Sequence, residues 1–151
     1  MNDTPAHLAT SPGRIATPPV PGRVIVTRTT GEAYGISVRG HELTIDQPVA
    51  AGGNDDGPTP VELFVVSLAS CVAYYAGRFL QRHHLPREGL RVEADFTMAD
   101  DRPARVASIR ISVLPPSQLS EPQLAALRAV VDHCTVHNTL RQPPEVSVEI
   151  G

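Results

Sequence analysis

The sequence predicts an α+β fold in the order β-β-β-α-β-β-α-β, and three observations predict it. Short segments alternating apolar and polar residues stand before and after the middle of the chain, as half-buried antiparallel strands require. A helix start signal at Thr59 opens a long, almost wholly apolar run. A second start signal at Ser120 opens a shorter amphipathic one.

The length of 151 residues, 41% of them hydrophobic, suits one domain with a sizeable core. Residues 1–22 hold five of the 15 prolines among Ser, Thr and Ala. They are expected to form a flexible tail, leaving 23–151 as a single domain. From Arg23 the segments RVIVTRTT, AYGISVR and ELTIDQP alternate as strands do. Gly40-His41 is placed as a type II′ turn between the last two, which sets Val38 opposite Leu43. The following AAGGNDDGPTP is acidic but lacks the alternating ligands and final glutamate of a calcium-binding loop, so a solvated loop is expected.

Thr59, Pro60 and Glu62 supply an N-cap, a proline at N1 and a glutamate at N3. The helix they open should run from Pro60 to about His83, enclosed on most sides until Arg78, with His83-His84 as C-terminal capping or solvated residues. LRVEADFTMA and RVASIRISVL read as two strands joined by DDRPA. The second helix begins at Ser120, with Gln123 at N3 and Leu124, Leu127 and Val131 on its apolar face. Pro143 and Pro144 stop a short segment after Cys134, and EVSVEI is expected as a closing strand. One such chain leaves the FVVSLASCVAYYA helix hard to cover, so burial points to a homodimer.

Charge and composition exclude several function classes. The balance is 13 basic against 16 acidic side chains, a net −3. No basic block interrupts it, so nucleic-acid binding is not expected. Every basic residue is arginine, which excludes Schiff-base chemistry and a phosphate-binding lysine. The apolar stretch Leu63 to Ala76 is broken by Ser67 and Ser70 and is shorter than the roughly 20 residues of a membrane span, so it reads as a buried helix. The amino terminus lacks the apolar region of a signal peptide, and Cys71 and Cys134 form no disulfide framework; a cytoplasmic, reducing compartment is expected.

Those two cysteines are the leading chemical candidates. Cys71 stands twelve positions beyond Thr59, too deep for the helix dipole to favour its thiolate. Its face gathers Phe64, Ser67, Leu68, Tyr74, Tyr75 and Arg78, an apolar slot with hydroxyls and one guanidinium. A buried cysteine acting as a small hydrophobe is the competing reading. Cys134 is expected at the end of the second helix, flanked by His133 and His137, which favour its thiolate if close. With Cys71 these residues give too few ligands at irregular spacing for a structural zinc site.

The run GPTPVELFVVSLASCVAYY, followed by LSEPQLAALRAVVDHCTVHNTL, resembles the OsmC/Ohr superfamily, the osmotically induced protein C and organic hydroperoxide resistance proteins. The resemblance covers nearly all of 23–151. It rests on the P-x-E-L helix opening, a cysteine after small residues, the intervening strand pair, and a second cysteine followed by a T-L pair. It implies antiparallel sheets wrapped around two central helices in an intertwined homodimer. It also implies that Cys71 attacks an organic hydroperoxide, that Cys134 resolves the sulfenic acid, and that an external dithiol, a lipoyl group in the hydroperoxide-resistance branch, reduces the disulfide. No cofactor, metal or flavin is implied.

Two helper residues carry over less directly. The hydroperoxide-resistance branch places a glutamate ten positions before the first cysteine; Val61 stands there, and Glu62 stands nine before. Nine residues subtend about 900°, so Glu62 points away from Cys71 on a straight helix and is also suited to completing the capping box. The family's arginine from an early strand maps to Arg28, with Arg39 behind it; an exposed strand arginine is the alternative. Peroxidase chemistry, an OsmC-like binding or redox-sensing module, and two structural cysteines therefore all remain open.

Overall fold

The computed structural model describes residues 22–151. The tail expected over 1–22 lies, apart from Gly22, outside the described residues. Strands β1 (Val24–Arg28), β2 (Tyr34–Val38) and β3 (His41–Ile45) form one antiparallel sheet in that order. Helix α1 (Pro60–Arg82) follows, then the antiparallel pair β4 (Arg91–Met98) and β5 (Val106–Leu114), and helices α2 (Glu121–Val131) and α3 (Thr135–Arg141). This is the expected α+β class, with three differences in detail.

The first difference is the β2–β3 turn. Arg39 and Gly40 are its central residues, with φ of 50° and 82°, and Val38 pairs with His41 rather than with Leu43. Two successive positive φ values make this a type I′ turn, whose twist matches the flanking strands. Moving the turn back by one residue shifts each partner by two, so every side chain keeps its face. Leu43 then stands opposite Ile36, and Ile45 opposite Tyr34.

Between β3 and α1 the acidic loop is largely exposed, as expected, and its backbone is organised from within. The buried Asp46 carboxylate accepts the N–H groups of Gln47 (2.7 Å), Asn54 (2.9 Å) and Asp56 (3.2 Å). These bonds favour the charged form, and the Asp56 N–H leads in holding the carboxyl below its usual range. The backbone passes so close that a Cβ at Gly53 would strike the Gln47 carbonyl and one at Gly57 the Thr44 carbonyl. The loop thereby delivers Thr59 to the start of α1.

There the expected capping box forms. The Thr59 N–H donates to the Glu62 carboxylate at 2.7 Å, and the Glu62 N–H to the Thr59 hydroxyl at 3.2 Å. His83 caps the other end, its N–H reaching the Phe79 carbonyl. Val65, Leu68, Val72, Ala76, Phe79 and Leu80 are the buried residues of α1, spaced three and four apart on one face. Ala76, Phe79 and Leu80 pack with Leu119 and Leu127, while Leu68 and Val72 meet Ile109, Ile111 and Val113 of β5. Full burial of a side chain such as Leu80 contributes about 1.5–3 kcal/mol. Helix α1 is long and apolar enough to cross a membrane, but this face packs on β4, β5, α2 and α3 as a core helix does.

The second difference concerns the opposite side of α1. Enclosure on most sides is not reached within one chain, which the sequence also indicates: Phe64, Val66 and Tyr74 are exposed. A helix in this chain finds neighbours for one face only, since the β1–β3 sheet makes no comparable packing with it.

The third difference lies near the carboxyl end. Cys134 does not end the second helix: α2 stops at Val131, and Cys134 is the N-cap of α3. EVSVEI forms no strand, because no described strand edge stands beside it. Its apolar residues Val146, Val148 and Ile150 are 78%, 84% and 96% exposed.

Candidate functional site

The two cysteines, 63 positions apart in sequence, share one apolar cluster. Helix α1 carries Cys71 half-buried at the margin of its covered face, and the α2–α3 corner carries Cys134 at 0% exposure. Leu68, Val72, Tyr75, Val131 and Val136 surround them. Both are free thiols. The corner is fixed by backbone: the Cys134 N–H donates to the Val131 carbonyl at 3.2 Å, and its own carbonyl accepts the Asn138 N–H at 2.9 Å as α3 begins.

Burial pushes the Cys134 thiol above its usual range. The backbone N–H groups of His137 and Val136 work the other way, and the adjoining Cys71 adds to the rise. In the folded, reduced protein Cys134 is therefore a neutral thiol at neutral pH. Unfolding frees it to ionise near the ordinary 9.0, so the unfolded chain binds fewer protons above that pH. The reduced protein should accordingly hold its stability below about pH 9 and lose it progressively as pH rises toward the folded value. Urea unfolding of the reduced protein across this range should show that decline, and Cys134→Ser should flatten it.

Tyr75 stands one helical turn beyond Cys71, and its hydroxyl lies 2.9 Å from that of Thr135, the residue after Cys134. Tyr74 meets the Tyr75 ring edge-on at 5.8 Å. Arg78, placed on the same face by helical spacing, donates to the Tyr74 hydroxyl at 3.1 Å. Ser67 and Ser70 spend their hydroxyls on the carbonyls of Phe64 and Ser67. The slot beside Cys71 is thus more apolar than the residue types suggested.

A cavity of about 210 Å³ adjoins the cluster between α1 and β5, walled by Leu68, Val72, Ile109, Ile111, Val113 and Val131, with Asp132 and His137 at its polar edge. Asp132 receives Arg141 at 2.9 Å and lies 3.5 Å from His137 Nδ1. The Arg141 hydrogen bond leads in holding the Asp132 carboxyl below its usual range, and partial desolvation opposes it. Neither this trio nor the Tyr75–Thr135 pair was picked out from sequence. Their linear traces are Tyr75 on the Cys71 face and the Thr and His that follow Cys134. Among the described residues, no group of three or more His, Cys, Asp or Glu side chains is placed to hold a metal ion.

The remaining sequence candidates lie elsewhere. The Glu62 carboxylate is engaged by the Thr59 N–H in the first turn of α1. Arg28 ends β1 opposite Tyr34, exposed, on the sheet that α1 does not pack against, and Arg39 occupies the β2–β3 turn. Within one chain the structure brings together Cys71 and Cys134 but not these three.

The chain is 23% identical to a Psychrobacter arcticus protein named for an osmotic stress induced and detoxification response, with a TM-score of 0.71 over 77% of this chain and 85% of that one. An OsmC like protein of Mycoplasma pneumoniae gives 16% identity and a TM-score of 0.65, over 80% and 87% of the two chains. The organic hydroperoxide resistance protein OhrB of Bacillus subtilis gives 17% and 0.57, over 80% and 92%. These likenesses establish the fold. No curated protein matches the chain in sequence. The profile of the family described as OsmC-like protein matches residues 52–149, which include the capped α1, both cysteines and the strand pair between them. A match over that much of the chain identifies the protein as a member of the OsmC-like family within the OsmC/Ohr superfamily.

Proposed function

We propose that the protein is a cysteine-based thiol peroxidase that reduces organic hydroperoxides to alcohols. The observation that carries the reading is the adjoining thiol pair, one sulfur half-buried and the other fully buried, in an apolar cluster beside an apolar cavity. The Cys71 thiolate attacks the terminal peroxide oxygen and the O–O bond breaks. The alkoxide leaves with a proton as the alcohol, and Cys71 becomes a sulfenic acid. Cys134 then attacks that sulfur, hydroxide leaves with a proton as water, and a disulfide forms. An external dithiol, of the lipoyl kind, takes up the oxidation by thiol–disulfide exchange and restores both thiols. A reducing, cytoplasmic setting suits this cycle.

The working unit is proposed to be a homodimer. The bare face of α1, the β1–β3 sheet apart from the helices and the unpaired V-x-V-x-I tail are three apolar surfaces that a second copy is suited to cover. In that unit the β1 strand of the second copy is the proposed source of Arg28 beside Cys71. Glu62 is its proposed carboxylate companion, which requires it to leave the capping box.

Intact mass spectrometry with peptide mapping, before and after one equivalent of cumene hydroperoxide, tests the chemistry. Loss of two hydrogens and a linked Cys71–Cys134 peptide is the expected outcome; an unchanged mass defeats the reading. One observation favours a second reading, a binding or redox-sensing module with little turnover: Val61 stands in the family's glutamate position while Glu62 is held by Thr59. Disulfide formation without catalytic turnover in the presence of dithiol would select it.

A further inference from the structure

We infer that Tyr75 and Thr135 are positioning residues for the resolving step, their mutual hydrogen bond holding Cys134 against oxidised Cys71. The inference rests on the peroxidase reading for its physiological oxidant, but the geometry behind it does not. Apart from the contact of the two thiols themselves, this 2.9 Å bond is, among the described residues, the side-chain hydrogen bond that links α1 to the segment of Cys134 and α3. Its two residues belong to the segments that carry the two cysteines: Tyr75 is one turn from Cys71 on the same helix face, and Thr135 directly follows Cys134.

The rest of the contact between these elements is apolar, through Leu68, Val72, Val131 and Val136, and apolar packing fixes proximity without direction. Disulfide formation needs direction, since the S–S bond tolerates only a narrow range of Cα separations and torsions. Asn138 on the His133 carbonyl and Arg141 on Asp132 hold α3 to the end of α2, and neither bond reaches α1. A hydroxyl pair at the first turn of α3 supplies that tie. Both hydroxyls are also anchored by structure behind them. The Tyr75 ring sits half-buried in the cluster and against Tyr74, while the Thr135 carbonyl accepts the Thr139 hydroxyl at 2.9 Å within α3.

The step concerned is attack of Cys134 Sγ on Cys71–SOH, which forms the S–S bond and releases the oxygen as water. Losing the tie leaves the first step untouched, because neither hydroxyl is proposed to touch the peroxide. It lowers the fraction of time in which the sulfurs are aligned, about five-fold for one ordinary hydrogen bond.

The test compares the parent with Tyr75→Phe, Thr135→Val and Thr135→Ser. Two rates are read: loss of free Cys71 thiol to cumene hydroperoxide in the presence of dimedone, and closure of the Cys71–Cys134 disulfide. Closure is followed with hydroperoxide and, separately, with diamide, whose azo group takes up the two thiol hydrogens. Tyr75→Phe and Thr135→Val should close about five-fold more slowly with either oxidant, gather more dimedone adduct on Cys71, and react with peroxide at the parent rate. Thr135→Ser, which keeps the hydroxyl, should behave as the parent. Closure at the parent rate in both Tyr75→Phe and Thr135→Val overturns the inference. If the parent closes with diamide but never reacts with hydroperoxide, the peroxidase reading fails while the diamide rates still decide the positioning role.

Discussion

Cys71→Ser is expected to abolish hydroperoxide reduction, with a loss of ~10³-fold or more, as when other enzymes lose their nucleophile. A serine hydroxyl at this half-buried, largely apolar position cannot be oxidised to a sulfenic acid, so the first step has no counterpart. Cys134→Ser should differ in kind. It leaves the first turnover intact, so one equivalent of alcohol still appears, and the Cys71 sulfenic acid persists because its partner is gone. Single-turnover alcohol release and dimedone labelling of the two variants separate these outcomes. Reduction by Cys71→Ser at the parent rate would remove the thiol mechanism altogether. The substitution itself should be tolerated structurally, since it exchanges one small side chain for another at the margin of the core.

Val66→Glu is expected to convert the proposed homodimer to single protomers, as read by size exclusion with light scattering. Val66 is 52% exposed and points away from the core, roughly 100° or more around α1 from each of the buried Val65, Leu68 and Val72. In one chain a carboxylate there is simply solvated, so folding is largely unaffected. In a dimer closed over this face each copy contributes one buried, unpaired charge, a cost of roughly 3 kcal/mol or more, which raises Kd at least about a hundred-fold. If Arg28 reaches Cys71 only from the second copy, hydroperoxide reduction should fall along with the dimer. A parent that scatters as a single protomer would defeat the dimer proposal and leave the bare face of α1 without an occupant.

Local signals were the ones the sequence carried faithfully. Thr59, Pro60 and Glu62 announce the start of α1 because a capping box is closed by residues within four positions of one another, and Ser120 with Gln123 does the same for α2, where the Ser120 N–H and hydroxyl both reach the Gln123 side-chain oxygen. The alternation in β4 and β5 likewise survives as paired strands, Val92 opposite Val113 and Phe96 opposite Ile109. The β2–β3 turn was missed by one position. A glycine is needed in either turn type, and only the cross-strand match of Ile36 with Leu43 decides between them. EVSVEI shows the limit of alternation: the pattern states that a segment is ready to pair, and only a neighbouring edge makes it a strand.

The candidate site divides in the same way. Both cysteines stood out by residue type and by family spacing, and Glu62 by its place in the cap. The meeting of Cys71 with Cys134 was implied by the family resemblance alone, and the tie from Tyr75 to Thr135 and the Asp132–His137–Arg141 trio were invisible, because each joins residues whose closeness depends on how the helices pack. The sequence by itself determined the α+β class, the helix starts and the family, since these follow from periodicity, capping chemistry and motif order along the chain. Tertiary structure alone decided which sulfur is buried, what adjoins it and which face of α1 is left bare, since burial and contact are properties of packing between segments distant in sequence.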